Sequence, residues 1–553
     1  MYNPLAGKQA AAYDCPNMRR RFSILLPMLL SVAALSAVLV IPEIGGVDEF
    51  VRYRVAESIV ERGELSFPII EGFDDPVITV YTNPASGKTY GLWNIGQSLV
   101  LVPFVAAGKA VQHMADSEPA RGLLLGAVVN VGYAALINTL LALATYGVLR
   151  QLRLSRKRAA LGVVALMLCT QWLVWGMSLQ EESLCALLLM LALWCGLKGR
   201  LSSRPLPWAA AMGACFGFLA NVRFNGAFSA AAVLVWIAFV IPNRKQAFAF
   251  VVTCVVSALP FLALLLWYNY ARTGDAFFSP YQANFQLMRE LGQDTGYRPS
   301  FVRFIHFLAG PDNGLLWFSL PALFLPMLRR KSHDPHRTML GASLLVLAVF
   351  THTALLCGFY AGVGVQGAGS PRYLAHQVIL LGPLLFLAAR RAWLWGARDS
   401  AKRGLKLAVI SVFAASLAFQ AAARLLNPEL EHSQDGAHEV ATGKSPQPYY
   451  YLPRRFANLK RAMAGELAAY SFPQGMQVSA DTVERLEQAE ARHTMLALPP
   501  AYFSLASRFT SNGAPEVPTL AYLYWWSAVA AFAGSVGWLL LPTLRKRTGS
   551  APR

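Results

Sequence analysis

The chain has 553 residues, of which 55% are hydrophobic and only 14% charged, with a mean hydropathy of +0.40. That composition excludes an ordinary soluble domain and points to an all-α polytopic membrane protein. The net charge of +19 comes from short Lys/Arg runs between apolar stretches, a pattern that fits orientation in a bilayer and argues against a nucleic-acid partner.

In chain order, Arg19, Arg20 and Arg21 precede an apolar run over 22–42, close to the roughly 20 residues a spanning helix needs. No small-residue cleavage site follows, so the run reads as a retained helix rather than a signal peptide. Further apolar stretches lie near 92–112, 122–149, 159–177, 183–198, 207–222, 226–242, 246–267, 314–328, 338–358, 373–391, 406–424 and 519–542. The seven cysteines fall almost entirely inside such stretches with no C-x2-C spacing, which argues against a disulfide framework or zinc site.

Segment 92–112 decides the topology. If it spans, most later basic runs fall outside; if it does not, the positive-inside bias holds throughout. It also carries Asn94, Gln97, Pro103 and Lys109, which suit a helix lying along the interface. The expectation is therefore about twelve spans with both termini cytoplasmic. The outer loops are then 43–121, 178–182, 223–225, 268–313, 359–372 and 425–518. Long first and last loops of this kind are usually functional. Asp481-x-x-Glu484 in the last loop resembles a capping box.

The first outer loop opens with Gly45-Gly46-Val47-Asp48-Glu49. Asp48 could cap a helix running through Val51, Val55 and Ile59. At the membrane edge the pair could equally supply a general base for an acceptor hydroxyl, or hold a divalent cation such as Mg or Mn. Asp74-Asp75-Pro76 reads as a turn. Lys88, Tyr90 and Trp93 precede the interfacial segment and could line the same cavity or simply face the surface.

Glu181 and Glu182 occupy a tight outer turn at a helix start, where the dipole favours acids; they could also orient an acceptor or a metal. Arg223, between Asn221 and Asn225, could sink toward a site or snorkel outward. Arg372 follows Ser370-Pro371 and precedes Tyr373 at the outer start of a span. A cation there opposes both the helix dipole and the positive-inside trend, so an anion is expected beside it, and helix N-terminal amides with an arginine make a phosphate site. The basic run Arg454, Arg455, Lys460 and Arg461 reads as a solvated or headgroup-facing helix face.

These features resemble the GT-C-fold polytopic glycosyltransferases, in particular the phospholipid-carrier-dependent, dolichyl-phosphate-mannose-type branch. The resemblance rests on Asp48-Glu49 with Arg52, Tyr53, Ala56 and Gly63; on Tyr90-Gly91 through Gly96-Gln97-Ser98 to Pro103; and on Ser178 with Glu181-Glu182. It continues through Gly213 to Arg223, Tyr268-Asn269 with Gly274 and Tyr281, and Gly314-Leu315-Leu316 with Ser319 and Pro321. Its last part is Gly367-x-Gly-Ser-Pro-Arg372-Tyr373-Leu374. In that last motif Ser370 replaces the usual glycine.

The resemblance implies a sugar carried on a polyprenyl phosphate and transferred with inversion at the outer face of the cytoplasmic membrane. The acceptor would be a glycan, lipid or protein, in the making of a cell-envelope glycan. Asp48 (or Glu49) would be the base, and Arg372 would hold the leaving lipid phosphate, with Ser370, Tyr373 and Arg223 beside it. The expected organisation is a catalytic membrane module over 1–424, an extracytoplasmic loop or subdomain over 425–518, and a last helix with a basic tail over 519–553. The rival readings are a twelve-helix secondary transporter, against which the near absence of ionisable residues in the spans weighs, and a non-catalytic lipid-carrier or flippase partner.

Overall fold

The computed structural model describes residues 16–42, 44, 47–68, 80–290, 298–310, 314–329, 335–359, 372–398, 403–426, 451–464, 498 and 516–548. They are overwhelmingly helical. Asp74-Asp75, Ser370 and Asp481-x-x-Glu484 lie outside the described residues. Seven described helices are long and apolar enough to cross a membrane: Ala120–Gln151, Glu181–Gly199, Arg244–Thr273, Thr338–Cys357, Arg372–Ala397, Arg403–Leu425 and Thr519–Leu541. Shorter apolar helices cover Ser23–Leu39, Leu206–Val222 and Phe224–Val240.

The chain opens with α1 (Pro16–Leu39) and α2 (Val47–Arg62). A two-stranded antiparallel hairpin follows, β1 (Val80–Thr82) and β2 (Thr89–Gly91), with Tyr81 opposite Tyr90. Next come α3 (Gly96–Gln112) and α4 (Glu118–Gly126), capped by the Ser117 side chain. α4 runs through a π-turn at Ala127–Gly132 into α5 (Tyr133–Gln151). Then come α6 (Arg156–Cys169), the single turn α7 (Trp172–Trp175), α8 (Glu181–Gly199) and α9 (Leu206–Val222).

After these are α10 (Ala227–Val240), α11 (Arg244–Thr273), α12 (Pro280–Glu290) and α13 (Phe301–Ala309). A proline-bearing 3-10 segment covers Trp317–Arg329. α14 (Pro335–Phe359), α15 (Ala375–Arg398), α16 (Arg403–Leu425), α17 (Tyr451–Met463) and α18 (Glu516–Thr548) complete the described chain.

α8 is the most buried of the seven long apolar helices; it packs against α5, α9, α10 and α15. The last helix returns along the first: Trp525 Nε1 donates to Val38 O at 2.9 Å and Trp538 Nε1 to Ser23 O at 3.2 Å. The two helices are therefore antiparallel, and the start of α1 and the end of α18 share one end of the bundle.

Where side chains are missing, helices close up. A Cβ on Gly213 of α9 would run into the Cys254 carbonyl of α11, and one on Gly217 would come within 2.7 Å of Ala258 O. Backbone-to-backbone contact of this kind is how helices associate in lipid. Gly213→Ala should therefore splay α9 from α11 and cost about 1–3 kcal/mol. It should read out as a lower thermal midpoint in detergent, and an unchanged midpoint would contradict the close contact.

Three expected boundaries change. The apolar stretch 159–177 is not one helix: α6 stops at Thr170, whose extended backbone (φ −135°, ψ 175°) breaks the ladder before α7. The stretch 314–328 is a 3-10 segment, because Pro321 and Pro326 lie inside it and Ser319 is non-helical. The outer loop expected from 268 begins at Gly274, whose left-handed φ of 80° ends α11; Tyr268, Asn269 and Arg272 are thus helical and buried.

The segment 92–112 forms α3, which falls outside the seven long spans, and its polar residues are tied to the rest of the bundle. Gln97 donates to Leu179 O and Asn94 Nδ2 to Ala220 O at 3.0 Å, which holds the start of α3 against the start of α8 and the end of α9. α2 and α3 run side by side in the same direction. Ser98 Oγ donates to Arg52 O at 3.1 Å, and three turns further along, Lys109 Nζ pairs with Glu57 at 2.5 Å and Glu61 at 2.8 Å.

Burial pushes the Glu57 carboxyl up, but hydrogen bonds from Lys109 and Tyr53 and the nearby Arg54 charge outweigh this. Its pKa ends below the ordinary 4.5. A carboxyl depressed by folding stabilises the folded state above its ordinary pKa, and that stabilisation is lost as pH falls through the folded value. Acidification below about 4.5 should therefore increase hydrogen exchange in α2 and α3 before the bundle responds, and Glu57→Gln should remove this pH dependence. Equal exchange in the variant and the wild type at every pH would contradict it.

Candidate active site

The first turn of α2 carries Asp48 and Glu49, and the first turn of α8 carries Glu181 and Glu182. Both helix starts favour acids through the dipole, and both point their first turns at one place. Arg52 reaches that place from the next turn of α2. Arg223 reaches it from the sharp bend after α9, and Arg372 from a 3-10 turn (Arg372–Leu374) that leads into α15.

The six charges interlock. Arg372 donates from Nη2 to Asp48 Oδ2 at 2.8 Å and from Nε to Glu182 Oε1 at 2.9 Å, and Nη2 also bonds Gln180. Arg223 Nη1 meets Glu182 Oε1 at 2.6 Å and Glu181 Oε1 at 3.2 Å. Arg52 pairs with the other oxygen of Glu181 and bonds Asp48 O at 3.3 Å.

Each guanidinium also lies over a ring: Arg52 over Trp93 at 5.4 Å, Arg223 over Tyr373 at 4.7 Å and Arg372 over Trp175 at 5.8 Å. Planar cations between a carboxylate and an aromatic face are held in position as well as neutralised. Burial opposes the Arg223 charge, but Glu181 and Glu182 reverse this and hold its pKa above the ordinary arginine value.

Accessibility separates the carboxylates. The Glu182 side chain is 0% exposed and that of Glu181 7%, while Asp48 keeps 23% and Arg372 16%. Buried ions survive only when paired and hydrogen-bonded, so Glu181 and Glu182 are committed to the arginines. Asp48 and Arg372 form the open side of the cluster.

Glu49 is buried beside Asp48 but has a different neighbour, the Arg424 guanidinium at the end of α16. Arg424 also donates to Leu39 O and Met177 O, both at 2.6 Å, and so clamps the chain around the start of α2.

Of the residues singled out from sequence, Asp48, Glu181, Glu182, Arg223, Arg372, Tyr373 and Trp93 come together here. Tyr90 is buried in the hairpin. Lys88 is a correction to the expected cavity lining: it sits at the exposed end of that hairpin and pairs with Glu64 at 3.4 Å. Arg372 precedes the α-helix proper, which starts at Ala375. The basic run of α17 is not one solvated face either: Arg455 is buried, since α17 packs on α16, while Lys460 is exposed.

Among the described residues no three of His, Cys, Asp and Glu form a group that could hold an ion, and an arginine stands opposite each of Asp48, Glu181 and Glu182.

Sequence reasoning passed over Gln180 and gave Arg52 no role of its own. Arg52 had a readable signal: four residues after Asp48 it shares that helix face.

No protein-family model and no curated protein sequence matches the chain. Among solved structures it is similar to the archaeal oligosaccharyltransferase AglB from Archaeoglobus fulgidus, in complex with an inhibitory peptide and a dolichol-phosphate. That likeness has a TM-score of 0.46 at 12% identity and covers 84% of this chain and 62% of the archaeal one. The chain thus spans less than two thirds of that relative's length. It is also similar to ArnT from Cupriavidus metallidurans bound to undecaprenyl phosphate, with a TM-score of 0.43, 14% identity, and 95% and 77% of the two chains covered. Both neighbours are glycosyltransferases of the GT-C fold, the class the sequence motifs resemble.

Proposed function

We propose that the chain is a membrane glycosyltransferase that moves a sugar from a polyprenyl-phosphate carrier to an acceptor hydroxyl at the outer face, with inversion. The observation that supports this reading is the accessible Asp48–Arg372 pair, 2.8 Å apart, backed by a buried set of acids and arginines. The donor phosphate takes Arg372 away from Asp48, because a phosphate presents more charge and more acceptors than one carboxylate.

Asp48 is thereby released to accept the proton of the acceptor hydroxyl. The acceptor oxygen bonds to the anomeric carbon from the side opposite the phosphate, and the carbon–oxygen bond to the phosphate breaks. The electron pair leaves with polyprenyl phosphate, whose charge Arg372 and Arg223 stabilise. The proton then passes from Asp48 to water. A single displacement of this kind inverts the anomeric centre.

In this reading α6 and the Trp317–Arg329 segment join the seven long and three shorter apolar helices in crossing the membrane. That gives about twelve crossings with the basic runs on the cytoplasmic side. The acceptor is a glycan, lipid or protein.

The test is to incubate purified protein with a panel of polyprenyl-phosphate sugars and measure polyprenyl phosphate release, with and without chelator. Release that needs both protein and acceptor supports the transferase. Intact donors across the panel would overturn it in favour of transport or a non-catalytic partner.

A further inference from the structure

One turn deeper than the charged cluster lies a second polar group that the transfer step does not use. His352 of α14 is 2% exposed, and His376 and Gln377 of α15 are 0% and 2% exposed. The two imidazole centroids are 6.1 Å apart, and Phe228 of α10 stacks on His352 at 5.7 Å. The Gln377 amide lies within reach of a hydrogen bond to the His352 ring.

That contact is poorly aligned, and neither nitrogen of the His376 ring, nor any other polar atom of His352 and Gln377, has a hydrogen bond to the described protein. The same is true of Ser229 Oγ, on the residue after Phe228, and of Glu182 Oε2. The position of the group is fixed by Arg223 and Glu182, which are electrostatic neighbours of His376.

A buried polar atom left unpaired costs about 1–3 kcal/mol, and so many in one place are rare in a folded chain. A ligand with polar groups would satisfy them. Its character follows from the surroundings. Ser229, His352, His376 and Gln377 offer mixed donors and acceptors, which suit hydroxyls. A cation is disfavoured by the adjacent Arg223, and an anionic group is better served by the guanidiniums above.

We propose that Ser229, His352, His376 and Gln377 form the recognition subsite for the hydroxyl groups of the donor sugar, and set which sugar is accepted. This rests on the transferase reading only for the source of the sugar. The anomeric phosphate stays with Arg372 and Arg223, and the ring reaches down toward α14 and α15. These are specificity residues, distinct from the reacting groups.

The test uses ligand-induced thermal shifts of the full-length protein and of its His376→Phe and Gln377→Leu variants. The ligands are bare polyprenyl phosphate and a panel of polyprenyl-phosphate hexoses and pentoses. Replacing an unpaired polar side chain by an apolar one should leave the unliganded midpoint unchanged or raise it. In the wild type at least one sugar-bearing carrier should shift the midpoint more than the bare carrier does. Both variants should lose that increment while keeping the bare-carrier shift. A site built on hydroxyl hydrogen bonds discriminates against the deoxy analogue by about 100-fold or more, so the wild type, unlike the variants, should bind a deoxy-sugar carrier about that much more weakly.

An increment that survives in both variants, or no sugar-bearing carrier exceeding the bare one, would overturn the subsite. A wild type that gains the increment but never releases polyprenyl phosphate would instead overturn the transferase reading and leave the subsite standing.

Discussion

Asp48→Asn is expected to lower sugar transfer by about 10²–10⁴, the usual scale for losing a positioned general base, while the protein still folds and still binds the carrier. The substitution keeps the shape and one acceptor oxygen facing Arg372, so the cluster holds; it removes only the ability to take a proton. Binding of bare polyprenyl phosphate should be unchanged or tighter, because the phosphate no longer competes with a carboxylate for Arg372.

Glu49→Gln is the control. Its neighbour is Arg424, at the junction of α1, α2 and α16, so its loss should lower the thermal midpoint and leave turnover near wild type. Transfer that survives in the Asp48 variant and fails in the Glu49 variant would move the base from Asp48 to Glu49. Single-turnover measurements with saturating donor separate these outcomes from changes in binding.

Arg372→Ala should damage donor use far more than acceptor use. Removing the guanidinium deletes the bonds it offers the phosphate, each charge-assisted bond contributing about 1.5–3 kcal/mol, or about 10- to 150-fold in donor affinity. It also strips a partner from buried Glu182. Breaking a buried ion pair from one side costs about 3–5 kcal/mol, and the loss should fall at the low end because Arg223 remains 2.6 Å from the same carboxylate oxygen.

Arg372→Lys keeps the charge without the planar fork, so it should recover part of the stability and less of the donor affinity. Donor and acceptor KM values measured separately for both variants decide the matter. Equal damage to both substrates would indicate a folding defect instead.

Much of this was legible in the sequence because bilayers impose simple rules. Apolar runs and basic clusters marked most of the long helices and their order. Arg372 stood out because it sits against the dipole and the charge bias at once, and the structure gives it two carboxylates. The Asp48-Glu49 and Glu181-Glu182 pairs were visible as acids at helix starts.

What a linear reading lacks is distance. Nothing along the chain says that residues 48, 182, 223 and 372 meet, and only the convergence of four helix ends gives Glu181 and Glu182 their arginine partners. Lys88 looked equivalent to Trp93 in sequence, yet the hairpin turns it to the surface.

Hydropathy also treats 159–177 and 314–328 as uniform, although Thr170 and two prolines break the backbone there. The histidines of α14 and α15 were invisible for a related reason: each sits in a short polar patch (Thr351-His352-Thr353 and His376-Gln377) inside an apolar run, and only burial marks it.

The most direct test of the shared site is accessibility. Asp48→Cys and Arg372→Cys, made separately, should both react with a membrane-impermeant thiol reagent applied to the outer face of intact cells. A polyprenyl-phosphate sugar added to the purified protein should protect the Asp48→Cys variant, and the Arg372→Cys variant only at the about 10- to 150-fold higher donor concentration that loss of the guanidinium demands. Labelling of the two positions from opposite sides of the membrane, or no protection of the Asp48→Cys variant at saturating donor, would contradict a common outer-face cleft for the base and the phosphate.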